Sequence, residues 1–358
     1  MNRDCLKLTT YFGERDRTAR GLLADELLDI YGAQRLRASV LLRGAEGFGR
    51  LHHLHTDRLL SLSEDLPVVS VAVDRRERIE SVLQQVLQIK RRGLITLERA
   101  RLLSGEIGPV ELPPQLAEAA KLTVHLGRHD RVRRAPAFVA VCEVLHRRGI
   151  AGASVLLGVD GTRDGRRARA RFFARNADIP LMIVAVGSGE RIADALPELG
   201  QLLHEPLFTL ERARICKRDG ELLATPHELP GSDEHGLSLW QKLTVYTSHD
   251  TTHDGRPLHL QIVRRLRESG AAGATSLPGI WGFHGDHAPH GDRFFQIHRH
   301  VPVVTVAIDT PERTAQSFAV IDELTREHGL LTSELVPAMS AMSETARWGG
   351  LRLAHHEF

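Results

Sequence analysis

The sequence predicts an α+β fold in three tandem copies, closed on itself as a pseudo-threefold ring, and three observations predict it. A stretch of more than thirty residues beginning at Asp65, DLPVVSVAVDRRERIESVLQQVLQIKRRGLITLE, returns from Asp178 as DIPLMIVAVGSGERIADALPELGQLLHEPLFTLE and from His300 as HVPVVTVAIDTPERTAQSFAVIDELTREHGLLTSE. Ten residues after Pro67, Pro180 and Pro302 stand Glu77-Arg78, Glu190-Arg191 and Glu312-Arg313, and each copy closes on a threonine, Thr96, Thr209 or Thr332. Such a match identifies a tandem array. The second observation is a common order of strand and helix periodicities around these stretches. The third is that VVSVAV, LMIVAV and VVTVAI are apolar at nearly every position, which predicts strands buried on both faces.

Each copy opens with a β-rich first strand, LKLTTYF, AKLTVHL or QKLTVYT. A helix comes next over TARGLLADELLDIYG, APAFVAVCEVLHRRG or RPLHLQIVRRLRESG, with apolar residues three and four apart and a glycine near its end. Pro136 and Pro257 fall in a first helical turn, where proline is tolerated. Second strands start from Ser39, Ser154 and Thr275 and lead into polar, Gly-rich loops. The third strand, a second helix and a short fourth strand complete the unit. This βαββαβ order is the ferredoxin-like arrangement, an antiparallel sheet with both helices on one face. The other face needs a cover, and in a chain of three copies a closed ring supplies one for all three at once.

The expected division is copy one over 1–103, a linker over 104–119, copy two over 120–216, a linker over 217–239, copy three over 240–339 and a tail over 340–358, expected to be a short helix or disordered. The 358 residues suffice for three such domains. With 42% hydrophobic and 26% charged residues each can bury a core, and a net charge of +2 leaves no nucleic-acid footprint. Cys5, Cys142 and Cys216 form no CxxC pair, and no apolar run reaches signal or membrane length, so a cytoplasmic location is expected.

The KLT strand, the loop RGAEGFG at Arg43–Gly49, DLPVV at Asp65–Val69 and GLITLE at Gly93–Glu98 resemble the domain-of-unknown-function family 190, a branch of the PII-like superfamily. The resemblance is close in copy one, good in copy three at GIWGFHG and HVPVV, and weaker in copy two. It implies a trimer of ferredoxin-like units fused into one polypeptide, monomeric as a chain. It implies a regulatory role, with a small ligand such as an adenine nucleotide in the clefts between units. The loops after the second strands would act as effector arms. A membrane transporter or channel is the implied partner, a fluoride channel by the family's gene context.

Residue types point to candidate sites. Arg43, Gly44, Gly47, Phe48 and Gly49 form a loop whose amides and arginine could cradle an anion, or whose glycines serve turns alone. The phosphate-loop pattern GxxxxGK[ST] is absent, and copy two carries VDGTRDGRRARAR instead. Arg58, Arg171 and Arg293 recur nine residues before each proline, fit for an anion in three clefts or for a structural ion pair. Lys7, Lys121 and Lys242, three of only five lysines, carry the same ambiguity or protect a strand edge. Lys90, Arg91, Arg92 and Gly93 occupy the turn that the resemblance makes a phosphate contact; a basic helix C-terminus favoured by the helix dipole is the plainer reading. Copy two has His204, Glu205 and Pro206 there and copy three Arg326, His328 and Gly329, so the clefts are expected to be unequal.

His284, His287 and His290, with Asp286, Asp292, His298 and His300, offer donors for zinc or another first-row metal, the basis of the alternative reading as a metal-responsive protein. No GxSxG, HExxH or paired cysteine points to catalysis.

Overall fold

In each copy, β-branched first strands and apolar third strands pair in the middle of the sheet. In copy one, β1 (Asp4–Gly13), α1 (Leu23–Ala33), β2 (Ala38–Arg43), β3 (Glu46–Phe48), β4 (Pro67–Arg75), α2 (Arg76–Ile89) and β5 (Gly93–Ser104) succeed one another. β1 lies between β4 and β5, and β2 pairs with the far edge of β4, all antiparallel. Copy two repeats this with β6 (Ala120–Gly127), α3 (Ala137–Arg147), β7 (Gly152–Leu157), β8 (Asp160–Arg163), β9 (Pro180–Gly187), α4 (Gly189–Leu202) and β10 (Leu207–Arg212), extended by β11 (Arg214–Arg218). Copy three has β12 (Trp240–Ser248), α5 (Leu258–Glu268), β13 (Ala274–Pro278), β14 (Trp281–His284), β15 (Pro302–Asp309), α6 (Pro311–Leu324) and β16 (Leu330–Val336). β17 (Ala338–Met342) and β18 (Arg347–Gly350) close the chain. The computed structural model describes residues 4–50, 55–56, 65–168, 179–285, 289–291, 301–343 and 345–356.

The helices pack on one face of each sheet through apolar stripes. α1 buries Leu23, Leu27, Leu28 and Tyr31, spaced for one helical face. Ser188 and Thr310 accept from the amides of Arg191 and Arg313, capping α4 and α6, and Pro311 occupies the first turn of α6. The repeated Glu-Arg pair has an architectural use in two copies. Arg78 donates to the Arg35 carbonyl at 2.9 Å and Arg191 to the Gly149 carbonyl at 2.5 Å, tying the second helix to the end of the first.

The opposite sheet faces meet one another. Val69 and Val71, Met182 and Val184, and Val304 belong to a single buried cluster drawn from all three copies. This burial on both faces is why the third strands are uniformly apolar.

Each loop after a second strand leaves its own copy and pairs with a neighbour's second strand: β3 of copy one on β13 of copy three, β8 of copy two on β2 of copy one, β14 of copy three on β7 of copy two. The fourth strands do the same at their ends, because β10 pairs with the end of β5, β11 with β16, and β17 with β5. Both sets of contacts run through the three copies and return to the first.

Two expectations change. The fourth strand of copy one is not short: it runs 12 residues, because its second half pairs with copy two. The tail is neither helical nor disordered over 338–350; it is the β17–β18 hairpin laid on β5. β10 covers only the far end of β5, and the edge left over Gly93–Leu97 takes up a strand even from the weak β-formers AMSAM. No helix among the described residues is long and apolar enough to cross a membrane.

Candidate functional site

The KLT and TLE motifs meet where the three sheets face each other. Lys7 contacts Glu98 of its own copy at 3.1 Å and Glu211 of copy two; Lys121 contacts Glu211 at 3.1 Å and Glu334 of copy three; Lys242 contacts Glu334 at 2.8 Å and Glu98 of copy one. Six buried charges therefore alternate around a closed cycle, each ammonium bridging two carboxylates. Thr96 and Thr244 donate to the second oxygens of Glu98 and Glu334 at 3.3 and 3.1 Å. Burial works against the carboxylates' charge, but the surrounding lysines outweigh it and hold Glu98 and Glu334 below the ordinary range. Burial likewise opposes Lys121 and Lys242, and their glutamates outweigh it, raising both. At Lys7 burial outweighs Glu211 and Glu98 and its pKa falls below the usual value. The same pair of carboxylate contacts is common to all three lysines. Such a cycle adds little stability over apolar packing, but losing one member strands the others.

The joint between copies one and three holds a hollow of about 560 Å³. Its floor is strand backbone at Phe12–Gly13 and Gly93–Leu94, one wall is Gly47–Arg50 with Ala272–Thr275, and the other is the tail hairpin with Met339, Met342 and Trp348. The Arg50 guanidinium lies 4.9 Å over the Trp348 ring, a cation–π contact between two residues that line the hollow. An open groove of about 850 Å³ shares Asp16, Arg92, Met342, Ser343 and Thr345 with it. Arg15, Arg17, Arg91, Arg92 and Arg347 line that groove against a single acid, Asp16, whose pKa is raised by burial despite Lys90.

The other joints are filled differently. The copy-two arm sets Arg167 among Asp160, Asp25 and Asp29 at 2.8, 2.6 and 2.7 Å, and Arg163 against Asp130 at 3.2 Å. Two arginines of its basic run, Arg163 and Arg167, are thus engaged by carboxylates of copies one and two. The copy-three arm inserts aromatics: Trp281 stands edge-on to Phe138 at 6.4 Å, and Phe283 to His146 at 5.1 Å.

The residues singled out from sequence separate into several groups. Arg91, Arg92, Gly93, Gly47, Phe48 and Gly49 line the hollow or the groove. Lys90 lines neither: it is 2% exposed and donates to the carbonyls of Tyr11 and Arg92 at 2.9 and 2.6 Å, and burial lowers its pKa to about 7. Arg43 is at the surface, paired with Glu14 at 2.9 Å. Gly44 and Gly47 have a packing reason, since a Cβ on Gly47 would stand 2.8 Å from the Ala274 carbonyl of the neighbouring copy. Gly161 and Gly282 meet the Ser39 and Ala153 carbonyls in the same way. Phe48 is a core residue of copy three, 5% exposed beside Leu258 and Leu266.

Gly93 has φ +90 and its Cβ would stand 2.1 Å from the Tyr11 carbonyl, so glycine is required there. His284 faces Asp219 at 3.5 Å, and among the described residues no metal-like group of three includes His284 or His290. Arg58, Arg171, Arg293 and His287 lie outside the described residues. Sequence reasoning left an ion pair open for the three repeated lysines without naming their glutamates, and it missed Trp348. The repeated Lys and Glu were themselves visible, but not their meeting.

The likeness of the chain to known proteins agrees with the repeats. The family model DUF190, described as uncharacterized ACR, matches residues 5–102, 119–215 and 240–338. A UPF0166 protein of Aquifex aeolicus (strain VF5) is 30% identical over 93 residues, covering 26% of this chain and 86% of its own length. A second UPF0166 protein of that organism is 33% identical over 67 residues, covering 19% of this chain and 70% of its own. Among solved structures, an aspartate kinase from Synechocystis aligns over 95% of this chain and 45% of its own at 11% identity, with a TM-score of 0.26, too low to bear on the fold.

Proposed function

The chain belongs to the DUF190 family, in three copies, and we propose that it is a single-chain counterpart of a PII-like trimer, a pseudo-threefold ring that binds a small anionic ligand at one joint and regulates a partner. The cyclic exchange of arms and the Lys-Glu cycle support the ring, since each contact type occurs once per pair of copies. A ring complete in one chain has the mass of one chain in solution, and an obligate trimer of chains would overturn it.

One observation carries the ligand site: an apolar hollow opening beside five arginines in the joint of copies one and three. In the joint of copies two and one, the arm's arginines Arg163 and Arg167 are matched by carboxylates instead. The pairing of hollow and groove suits a ligand with a flat or apolar part and an anionic part, and an adenine nucleotide fits that description. Arg91 and Arg92 would grip the anion, and the Arg50–Trp348 lid would close over the apolar part. The arm of copy one, which contributes Gly47–Arg50 to the hollow, would transmit occupancy to a partner such as a membrane transporter or channel.

Thermal stability measured against adenine and guanine nucleotides and divalent metals tests this reading. A ligand at a hundred times its Kd adds about 2.7 kcal/mol. The nucleotide shift is expected in the wild type and absent in the Arg91→Ala, Arg92→Ala double variant. No shift from any nucleotide, with one from zinc instead, would replace the anion by a metal.

A further inference from the structure

A second, smaller space, with a volume of about 80 Å³, is lined by the Lys-Glu cycle. Corresponding residues of all three copies line it: the lysines and glutamates of the cycle, the threonines of the KLT strands, and one position that is Tyr11 in copy one, His125 in copy two and Tyr246 in copy three. Imidazole is shorter than phenol, so copy two contributes the room. It also contributes four of the five lining polar atoms without a protein partner among the described residues, the fifth being the Tyr246 hydroxyl of copy three. Both ring nitrogens of His125, the Thr209 hydroxyl and Oε1 of Glu211 are buried with no hydrogen bond, although Glu98 and Glu334 each receive a threonine hydroxyl at that oxygen. β6 and β10 set these atoms on one face, because Thr209 is registered with Thr123 and Glu211 with Lys121.

Unsatisfied buried groups cost about 1–3 kcal/mol each, so several around one cavity mark a site made for a guest. The charges select it. The three lysines disfavour a cation. An anion would stand against the open oxygen of Glu211, which can only accept a hydrogen bond. A neutral imidazole offers one donor and one acceptor, the threonine hydroxyl offers both, and the carboxylate needs a donor. The guest must be small, uncharged and able both to donate and to accept.

We propose that the space beside His125 is a hydration site, holding a small cluster of ordered water that bridges His125, Thr209 and Glu211. The volume admits two or more waters, each of which needs roughly 10–15 Å³ of such space. Glu211 also receives Lys7 of copy one, so the water links the copy-two strands to the contact between copies.

High-resolution crystal structures of the full chain and of His125→Tyr and His125→Phe, with xenon-pressurised and bromide-soaked crystals of each, test the site. In the wild type, density is expected for at least one water at about 2.7–3.2 Å from two of the three partners. Neither xenon nor bromide should enter. His125→Tyr restores the residue of the other copies and should expel the cluster. His125→Phe keeps a ring without its nitrogens and should lose at least the water held by them. An empty or xenon-filled space in the wild type, bromide at the site, or water that persists unchanged in both variants would overturn the proposal.

Discussion

The joint between copies one and three and the joint between copies two and one are built by the same backbone moves and end with different contents. In both, an arm crosses to the neighbour's second strand, and a glycine, Gly47 or Gly161, meets a carbonyl too close for any side chain. Beyond the glycine the two arms diverge. Copy one continues with Phe48, Gly49 and Arg50, which bury one ring and leave a hollow; copy two continues to Arg163 and Arg167, which tie the arm to five acids, Asp130, Glu205, Asp160, Asp25 and Asp29. Backbone approach makes the joint, while arm side chains decide whether it can receive a ligand.

The largest test removes what the joints share. Lys7→Met, Lys121→Met and Lys242→Met should each cost about 3–5 kcal/mol in urea unfolding, because each leaves buried carboxylates short of a partner. Very unequal losses would mean that the three junctions are not equivalent. The next effect belongs to copy two alone. Burial lowers the pKa of His125 to about 4, with Glu211 opposing. Between the unfolded value near 6.5 and about 4 the unfolded chain binds the proton and the folded chain does not, so stability falls with falling pH by about 3 kcal/mol through this group. His125→Phe should flatten that part of the pH profile, and an unchanged profile would place the loss elsewhere.

Arg167→Ala should cost about 1–3 kcal/mol, since Asp25 and Asp29 are exposed while Asp160 is buried, and should leave any nucleotide shift intact. Arg91→Ala with Arg92→Ala should reverse that pattern, changing stability by less than about 0.5 kcal/mol and abolishing the shift. If Arg167→Ala abolished it instead, the comparison of the two joints would be inverted.

Much of the fold was legible in the repeats. The uniformly apolar VVSVAV and its counterparts reported burial on both faces before any neighbour was known. The site was legible only in part. Arg91, Arg92 and Gly93 stood out as a basic turn and do line the groove or the hollow, yet Lys90 beside them is buried against backbone carbonyls. Gly47 read as part of an anion loop because the carbonyl it approaches, that of Ala274, belongs to another copy. Trp348 lay in a tail expected to lack strands; its strand, β18, pairs with β17, which itself lies on the edge of β5.

The sequence by itself determined the number of copies, the order of elements in each and the burial of the third strands. Those properties are written in neighbours two to four residues apart, through strand and helix periods. Only the tertiary structure decided which lysine meets which glutamate, which joint stays hollow and which histidine lines the space at the Lys-Glu cycle. The Lys-Glu contacts between copies join residues 144 to 213 positions apart, and local periodicity cannot specify them; the packing of the three sheets against one another does.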